Sequence, residues 1–327
     1  MRRTRWTHPW SMVLVAGIEL CGLSASAARA DQPAAKPDSG SAEQLPAGQI
    51  RLAICQFPVS ADVKQNARWI RKQMQDAAKE HAHVAHFCET ALTGYAAYQG
   101  DLKSADEIDW KLVREETQTI LDLARELNIW VVLGTTHQLK DHKPHNSLYV
   151  ITPKGKIIDR YDKRFCTGGD LKNYSPGDHF VTFEINGVKC GLLICYDVRF
   201  PELYREYCKE GVQLMFHSFY NAHLDEETTI LPIVMPITAR AQAASNGMFV
   251  SMTNSCAPHS WPGRLITPNG LVEIILPENE PAMHVVLVNT SKSYYDPSKG
   301  HREKAMEGIL NSGETVDDEW SRDRTRY

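Results

Sequence analysis

The chain has 327 residues, 43% of them hydrophobic and 23% charged, which is the composition of an ordinary folded protein with room for one large domain or two small ones. Its formal net charge of −4 gives no electrostatic case for a nucleic-acid partner. No apolar run reaches the roughly 18 residues expected of a membrane span.

Arg2, Arg3 and Arg5 give the N-terminus a basic start. Ser11 to Ala28 is then mostly small and apolar, and Ala28-Arg29-Ala30 precedes Asp31. This order predicts a secretory signal peptide over residues 1–30, cleaved after Ala30, and hence a periplasmic or secreted protein. Glu19 interrupts the apolar run, and an uncleaved extension on a cytoplasmic protein is the alternative. Arg2-Arg3 leaves the twin-arginine route open beside the general secretory one. Residues 31–48, rich in Pro, Ala, Ser and Gly, read as a flexible linker.

From Ile50 onward, strand and helix patterns alternate. Ile50 to Phe57 reads as an apolar strand, and Val63, Ala67, Ile70, Met74 and Ala77 recur at helical spacing. Val84 to Phe87 is a second strand. Val113, Ile120, Ala124 and Leu127 mark another helix, and Trp130 to Leu133 another strand. Ser147 to Ile151 and Lys156 to Ile158 flank a hairpin-like turn at Pro153 to Gly155. Strands at Val181 to Ile185 and Lys189 to Ile194 lead to a helix that Pro201 opens. Val212 to His217 is strand-like. Ile230 to Ser245 reads as a helix, with Pro232 and Pro236 expected near its start. Met248 to Thr253, Leu265 to Ile266, Leu271 to Ile275 and His284 to Val288 complete the strands. Residues 292–327 form a polar, charged tail. Such alternation predicts an α/β fold with helices packed on sheets.

Three strand ends carry reactive side chains. The strand through Ile194 stops at Cys195, just before the helix opened by Pro201. There a thiol would feel a helix N-terminal field that favours the thiolate, the nucleophilic form. A buried structural cysteine is the plainer reading. Val84 to Phe87 runs into Glu89, and Lys163 follows the strand around Ile157 and Ile158. A glutamate in that place is more often a solvated loop residue, and a lysine more often a surface charge. His81, His83 and His86, and likewise His137, His142 and His145, lack metal-site spacing such as His-Glu-x-x-His, so no metal is expected. The absence of a Walker-type loop and of a dinucleotide glycine fingerprint predicts no cofactor. Gly-x-Ser-x-Gly is also absent.

Taken in order, Glu89 in His86-Phe-Cys-Glu89-Thr-Ala-Leu-Thr-Gly94-Tyr95, Lys163 in Asp159-Arg-Tyr161-Asp-Lys163 and Cys195 in Cys195-Tyr-Asp-Val-Arg-Phe-Pro-Glu202 resemble the motifs of the nitrilase superfamily, the carbon–nitrogen hydrolases. Tyr174-Ser-Pro-Gly-Asp178, Ala239-Arg240-Ala241 with Asn246-Gly247, Asn254 and Thr267-Pro-Asn-Gly270 extend the resemblance over residues 49–291. It implies a four-layer α-β-β-α sandwich and a homodimer or higher homo-oligomer, with the tail as an arm on a partner subunit or loosely ordered. It implies Glu89 as general base and acid, Lys163 as the oxyanion's cation and Cys195 as nucleophile, with the backbone N–H of Tyr196 as a second oxyanion donor. Many members carry a second glutamate before the Pro-Gly-Asp turn. Asp170 stands in that place here, one methylene shorter. Tyr95, Phe219, Tyr220 and Asn221 are expected around the substrate, in loops that set specificity.

Cys195-Tyr196-Asp197 resembles the amidase and carbamoylase branches, whereas nitrile-cleaving members usually carry Cys-Trp-Glu. The expected reaction is hydrolysis of a small amide or N-carbamoyl amine. The alternatives are a nitrilase, an N-acyltransferase, or an inactive protein that binds a small ligand. Of the 8 cysteines, Cys21 would leave with the signal. Cys55 and Cys190 are expected in the core. Cys88 and Cys166 are expected near the site, without a covalent partner, which would leave Cys195 free even in an oxidising compartment.

Overall fold

The computed structural model of the chain describes residues 45–96, 102–221, 230–258 and 260–325. The expected signal peptide and most of the linker lie outside them, as do parts of two expected specificity loops, residues 97–101 and 222–229.

Among the described residues, twelve strands form two six-stranded sheets. The first sheet contains β1 (Gln49–Gln56), β2 (Val84–His86), β3 (Trp130–His137), β4 (His145–Ile151), β5 (Ile157–Asp162) and β12 (Ala282–Asn289), in the order β12-β1-β2-β3-β4-β5. The second contains β6 (Thr182–Ile185), β7 (Val188–Ile194), β8 (Leu214–Ser218), β9 (Phe249–Thr253), β10 (Arg264–Ile266) and β11 (Val272–Ile275), in the order β11-β10-β9-β8-β7-β6. Each sheet has three parallel strands at its centre, β1-β2-β3 in one and β7-β8-β9 in the other, with antiparallel strands outside them.

Alternation along the strands builds the layers. Ile50, Leu52 and Ile54 of β1 enter a core that also holds Leu192, Ile194, Phe216 and Val250 of the second sheet. Ala53 and Cys55 face the other way, into the core under α1 (Val63–Lys79) and α2 (Trp110–Leu127). On the second sheet, α4 (Pro201–Lys209) and α5 (Ile230–Asn246) add Leu203, Tyr204, Tyr207, Ala239 and Ala243 to the core. The result is the α-β-β-α sandwich expected from the resemblance. Asp62 and Asp109 start α1 and α2 by accepting the first free N–H groups, Lys64 and Gln65 in one case and Lys111 and Leu112 in the other.

One local expectation needs correction. Pro236 sits inside α5 rather than at its start, removing one helix hydrogen bond there. The strand through Ile194 passes into a five-residue 3-10 turn, Cys195–Arg199, after which Pro201 opens α4. The described part of the tail beyond Ser291 contains two short helices, α6 (Lys299–Met306) and α7 (Glu319–Arg322). Its first part docks: Tyr294 lies edge-on to Phe249, and Arg302 pairs with Asp296 and donates to the Ser245 carbonyl.

Candidate active site

The strand directions bring the reactive side chains to one edge. Glu89 follows β2 and Cys195 follows β7, each at the carboxyl end of a parallel strand, where open α/β sheets place their ligands. Because β4 runs back and β5 forward, Lys163 leaves β5 at that same edge, and Asn146, near the start of β4, arrives there too. The loop after β8 joins the two sheets at this point. The Phe219 carbonyl accepts the Glu89 N–H at 3.2 Å, and the Phe219 N–H donates to the Thr253 carbonyl at 2.9 Å.

Two glycines permit the close approaches. A Cβ on Gly134 of β3 would lie 1.8 Å from the Cys88 carbonyl oxygen, so the turn carrying Glu89 rests on bare backbone. A Cβ on Gly177 would lie 2.5 Å from the Asp162 carbonyl oxygen, and the Gly177 N–H instead donates to the Lys163 carbonyl at 2.9 Å. The Pro-Gly-Asp turn thus clamps the lysine's backbone.

Lys163 is fully buried between two carboxylates. Its Nζ lies 2.8 Å from Glu89 Oε1 and 2.9 Å from Asp170 Oδ2, and 5.8 Å from the centre of the Tyr95 ring. Asn146 donates a second bond to Glu89 Oε1 at 2.7 Å. The Tyr95 hydroxyl donates to Asp170 Oδ1 in a short bond, and the Thr167 N–H to Oδ2. Burial alone would discharge Lys163, but the facing Glu89, Tyr95, Cys195 and Asp170 hold its pKa well above the ordinary lysine range, so it remains a cation.

The two carboxylates are pushed apart. Burial raises Glu89, and the Asp170 charge adds to that rise against the pull of Lys163. Burial also disfavours the Asp170 anion, yet Lys163, the Tyr95 hydroxyl and the Thr167 N–H outweigh it and lower its pKa. Opposed shifts of this kind separate a fixed counter-ion from a proton carrier. Asp170 is the counter-ion of Lys163, and Glu89 is the carboxylate able to cycle a proton. Among the described residues, Glu89 Oε2 has no hydrogen-bond partner, which leaves one oxygen free for that exchange.

Cys195 is partly exposed and has φ +43°, as Thr90 beside Glu89 has φ +48°. A side chain in this left-handed region costs of order 1–3 kcal/mol, and such residues cluster at sites where geometry outranks stability. Asp197 braces the elbow. Its buried carboxylate accepts from the Ile194 N–H at 3.0 Å, the Tyr161 hydroxyl at 2.8 Å and the Phe165 N–H at 2.9 Å, tying the cysteine turn to the chain on either side of Lys163. The thiol does not have the lowered pKa expected from a helix N-terminus. Burial and the Glu89 charge raise it well above the usual range, against the pull of Lys163 and of the Tyr220 N–H. The resting sulfur is therefore a thiol, and it needs a base to become a nucleophile.

The other expected residues divide. Tyr95 and Tyr220 stack with ring centres 5.0 Å apart beside Lys163. Tyr196 is 37% exposed and meets Phe200 edge-on. Phe219 is fully buried, stacked on His217 and against Trp261, so its side chain shapes the wall from behind. The Asn221 N–H donates to Asn254 Oδ1 at 3.0 Å, which fixes the end of the loop after β8. Cys88 is buried, and Cys166 has a thiol pushed up to about 12 by burial. Among the described residues, no two cysteines form a disulfide. The histidine groups do structural work: His86 bridges the sheets through Ser251 and Ser218, and His137 joins Tyr149 to Arg160. Among the described residues, no cluster of His, Cys, Asp and Glu is arranged to hold a metal. Sequence reasoning missed Asn146 altogether. A polar residue opening an apolar strand opposite the reactive ones was its only signal.

The family model for carbon-nitrogen hydrolases matches residues 51–285. Omega-amidase NIT2 of Mus musculus is 28% identical over 69% of this chain and 87% of its own length. The 2-oxoglutaramate amidase of Bacillus subtilis is 30% identical over 49% of this chain and 58% of its own. The crystal structure of an amidase from Nesterenkonia sp. superimposes with a TM-score of 0.67 at 21% identity, covering 83% of this chain and 100% of that one.

Proposed function

The chain belongs to the carbon–nitrogen hydrolase family, and on that premise we propose that it cleaves a small amide through an acyl-enzyme on Cys195. That it is a hydrolase of amide carbon–nitrogen bonds follows from the family and from the amidases among its relatives. The observation that carries the finer reading is Lys163 buried between Glu89 and Asp170, 2.8 and 2.9 Å from them, with the two carboxylates shifted in opposite directions.

In this reading Glu89 takes the Cys195 proton as sulfur attacks the carbonyl carbon. The new C–S bond places negative charge on the carbonyl oxygen, which Lys163 Nζ and the Tyr196 N–H stabilise. Collapse of that intermediate breaks the C–N bond, and Glu89 passes its proton to the departing nitrogen. Glu89 then draws a proton from water, hydroxide adds to the thioester carbon, and the acid leaves as sulfur recovers its proton. Each cycle consumes one water and returns every enzyme group to its starting state.

The likeness to an omega-amidase and a 2-oxoglutaramate amidase favours an amide over an N-carbamoyl amine as substrate. Ammonia release from a panel of small primary amides, ω-amides of 2-oxo acids among them, set against N-carbamoyl amines tests this. Turnover confined to the carbamoyl compounds would reject the amide assignment, and turnover only with an added amine acceptor would indicate acyl transfer. A homodimer belongs to the same reading. Ile230, Ile233 and Ile237 lie on one face of α5 at 64%, 60% and 56% exposure, an apolar stripe suited to a second copy. A monomeric mass by light scattering would oppose it. Export is proposed on the N-terminal pattern alone, and a native chain beginning at Met1 in the cytoplasmic fraction would reject it.

A further inference from the structure

His217 lies in β8, where the parallel register sets it beside Leu193, two residues before Cys195. It is fully buried. Its Nε2 lies 3.2 Å from the Cys195 carbonyl oxygen, its Nδ1 lies 2.6 Å from the Tyr204 hydroxyl, and its ring stacks on Phe219 with centres 4.3 Å apart. A carbonyl oxygen can only accept, so Nε2 must carry the hydrogen. Burial, the dominant influence, presses the pKa down to about 3, so the imidazole is neutral and Nδ1 is bare. Tyr204 therefore donates to Nδ1, and the tautomer is fixed. A buried, neutral imidazole with both nitrogens engaged is unsuited to proton transfer, which leaves its bond to the Cys195 carbonyl as its contribution.

That bond has a consequence across the peptide link. In a trans peptide the C=O of one residue and the N–H of the next point in opposite directions. The described chain has no cis peptide bond. Drawing the Cys195 carbonyl toward the buried His217 turns the Tyr196 N–H the other way, away from that ring. The Tyr196 N–H also lies at the start of the 3-10 turn, where the first N–H groups have no partner within their own helix. A residue at φ +43° has no intrinsic reason to hold this orientation, so an external bond must fix it. We infer that His217, set by Tyr204, is a positioning residue that aims the Tyr196 N–H at the developing oxyanion. The inference rests on the reading of Cys195 as nucleophile.

The test compares full-length His217→Phe, His217→Gln and Tyr204→Phe with the unaltered enzyme on the best amide of the panel. Phe keeps a stacking ring but has no donor, whereas the Gln amide can replace the Nε2–H. Iodoacetamide alkylation of Cys195 reports the thiol without needing an oxyanion donor. A substrate-like aldehyde, which forms a tetrahedral adduct on sulfur, does need one. Loss of a single oxyanion donor costs roughly 100- to 1000-fold, and misaiming it costs less. His217→Phe should lower kcat by about 10- to 100-fold and weaken aldehyde inhibition in parallel, with KM and alkylation rate within about threefold. His217→Gln should recover most of the loss, and Tyr204→Phe should show the same pattern at smaller size. Should His217→Phe not fold, the Tyr204→Phe pattern decides. Unchanged kcat and aldehyde affinity, alkylation slowed as much as turnover, or a Gln variant as poor as Phe would each overturn the inference. Cys195→Ala retaining activity would instead reject the underlying mechanism, so the two failures are distinguishable.

Discussion

The two sides of the active site solve different physical problems. On the first side, Lys163, Glu89 and Asp170 are three buried ionisable groups, with each carboxylate held within 2.9 Å of the Lys163 Nζ. On the second, Cys195 is partly exposed, and its carbonyl is bonded to a neutral imidazole. The first side depends on every partner being present, because a buried ion that loses its counter-charge is very costly. The second stores local backbone strain at a partly exposed residue. The comparison teaches that the charged side ought to couple activity to stability, while the cysteine side ought not to.

The sharpest way to break this comparison is to remove one group from each side. Cys195→Ala and Lys163→Met should each lower kcat on the order of a thousandfold or more. Only Lys163→Met should also destabilise the fold, by about 3–5 kcal/mol in denaturant titration, since it strands two facing carboxylates. Equal stability of the two variants would show that the ion cluster is not the structural element described here.

The next effect is in the pH profile. In the proposed mechanism Glu89 must be ionised to act as base, and burial holds its pKa above the usual range, followed in size by the opposing pull of Lys163 and then the push of Asp170. The acid limb of the kcat/KM profile, which reports the free enzyme, should therefore lie at higher pH than the roughly 4.3 of an unperturbed glutamate. Asp170→Asn removes a negative neighbour, so the acid limb should move to lower pH. A limb that moves upward would assign the titration to another group.

Asp197 gives a smaller effect, on stability. Burial pushes it up to about 6, against roughly 3.9 in an unfolded chain. Between those values the folded protein keeps a proton that the unfolded chain has released. Its contribution is thus complete below about pH 4 and is lost as pH rises through 6. Asp197→Asn should flatten this part of the stability curve while lowering turnover, because the amide offers N–H where three donors now point at a carboxylate. The smallest effect lies far from the site. Asp296→Ala, which removes the carboxylate paired with Arg302 inside the tail, should cost less than about 1 kcal/mol and leave kcat unchanged.

What the sequence revealed follows the same division. Glu89, Lys163 and Cys195 were legible because each ends an apolar strand and the three share a family order. Asp170 was visible as a departure from that order. Whether it would hold Lys163 or a substrate nitrogen was open in the sequence, because its placement depends on a single-turn helix, α3 (Asp170–Asn173), which four residues do not announce. Asn146 was invisible because only the antiparallel return of β4 brings it to Glu89. The link from His217 to Cys195 depends on the β7–β8 register, which no spacing within either strand encodes. The lowered thiol pKa expected at Cys195 failed because burial, and then the field of the facing Glu89 carboxylate, dominate there.

The central claim is that the amide carbon becomes bonded to Cys195. Rapid acid quench of the enzyme during turnover of its best amide, followed by peptide mass spectrometry, tests it directly. The account predicts one acyl group, on the peptide containing Cys195, that accumulates and then decays as substrate is exhausted. Sustained turnover with no adduct at Cys195, or with the acyl group on another residue, would contradict it.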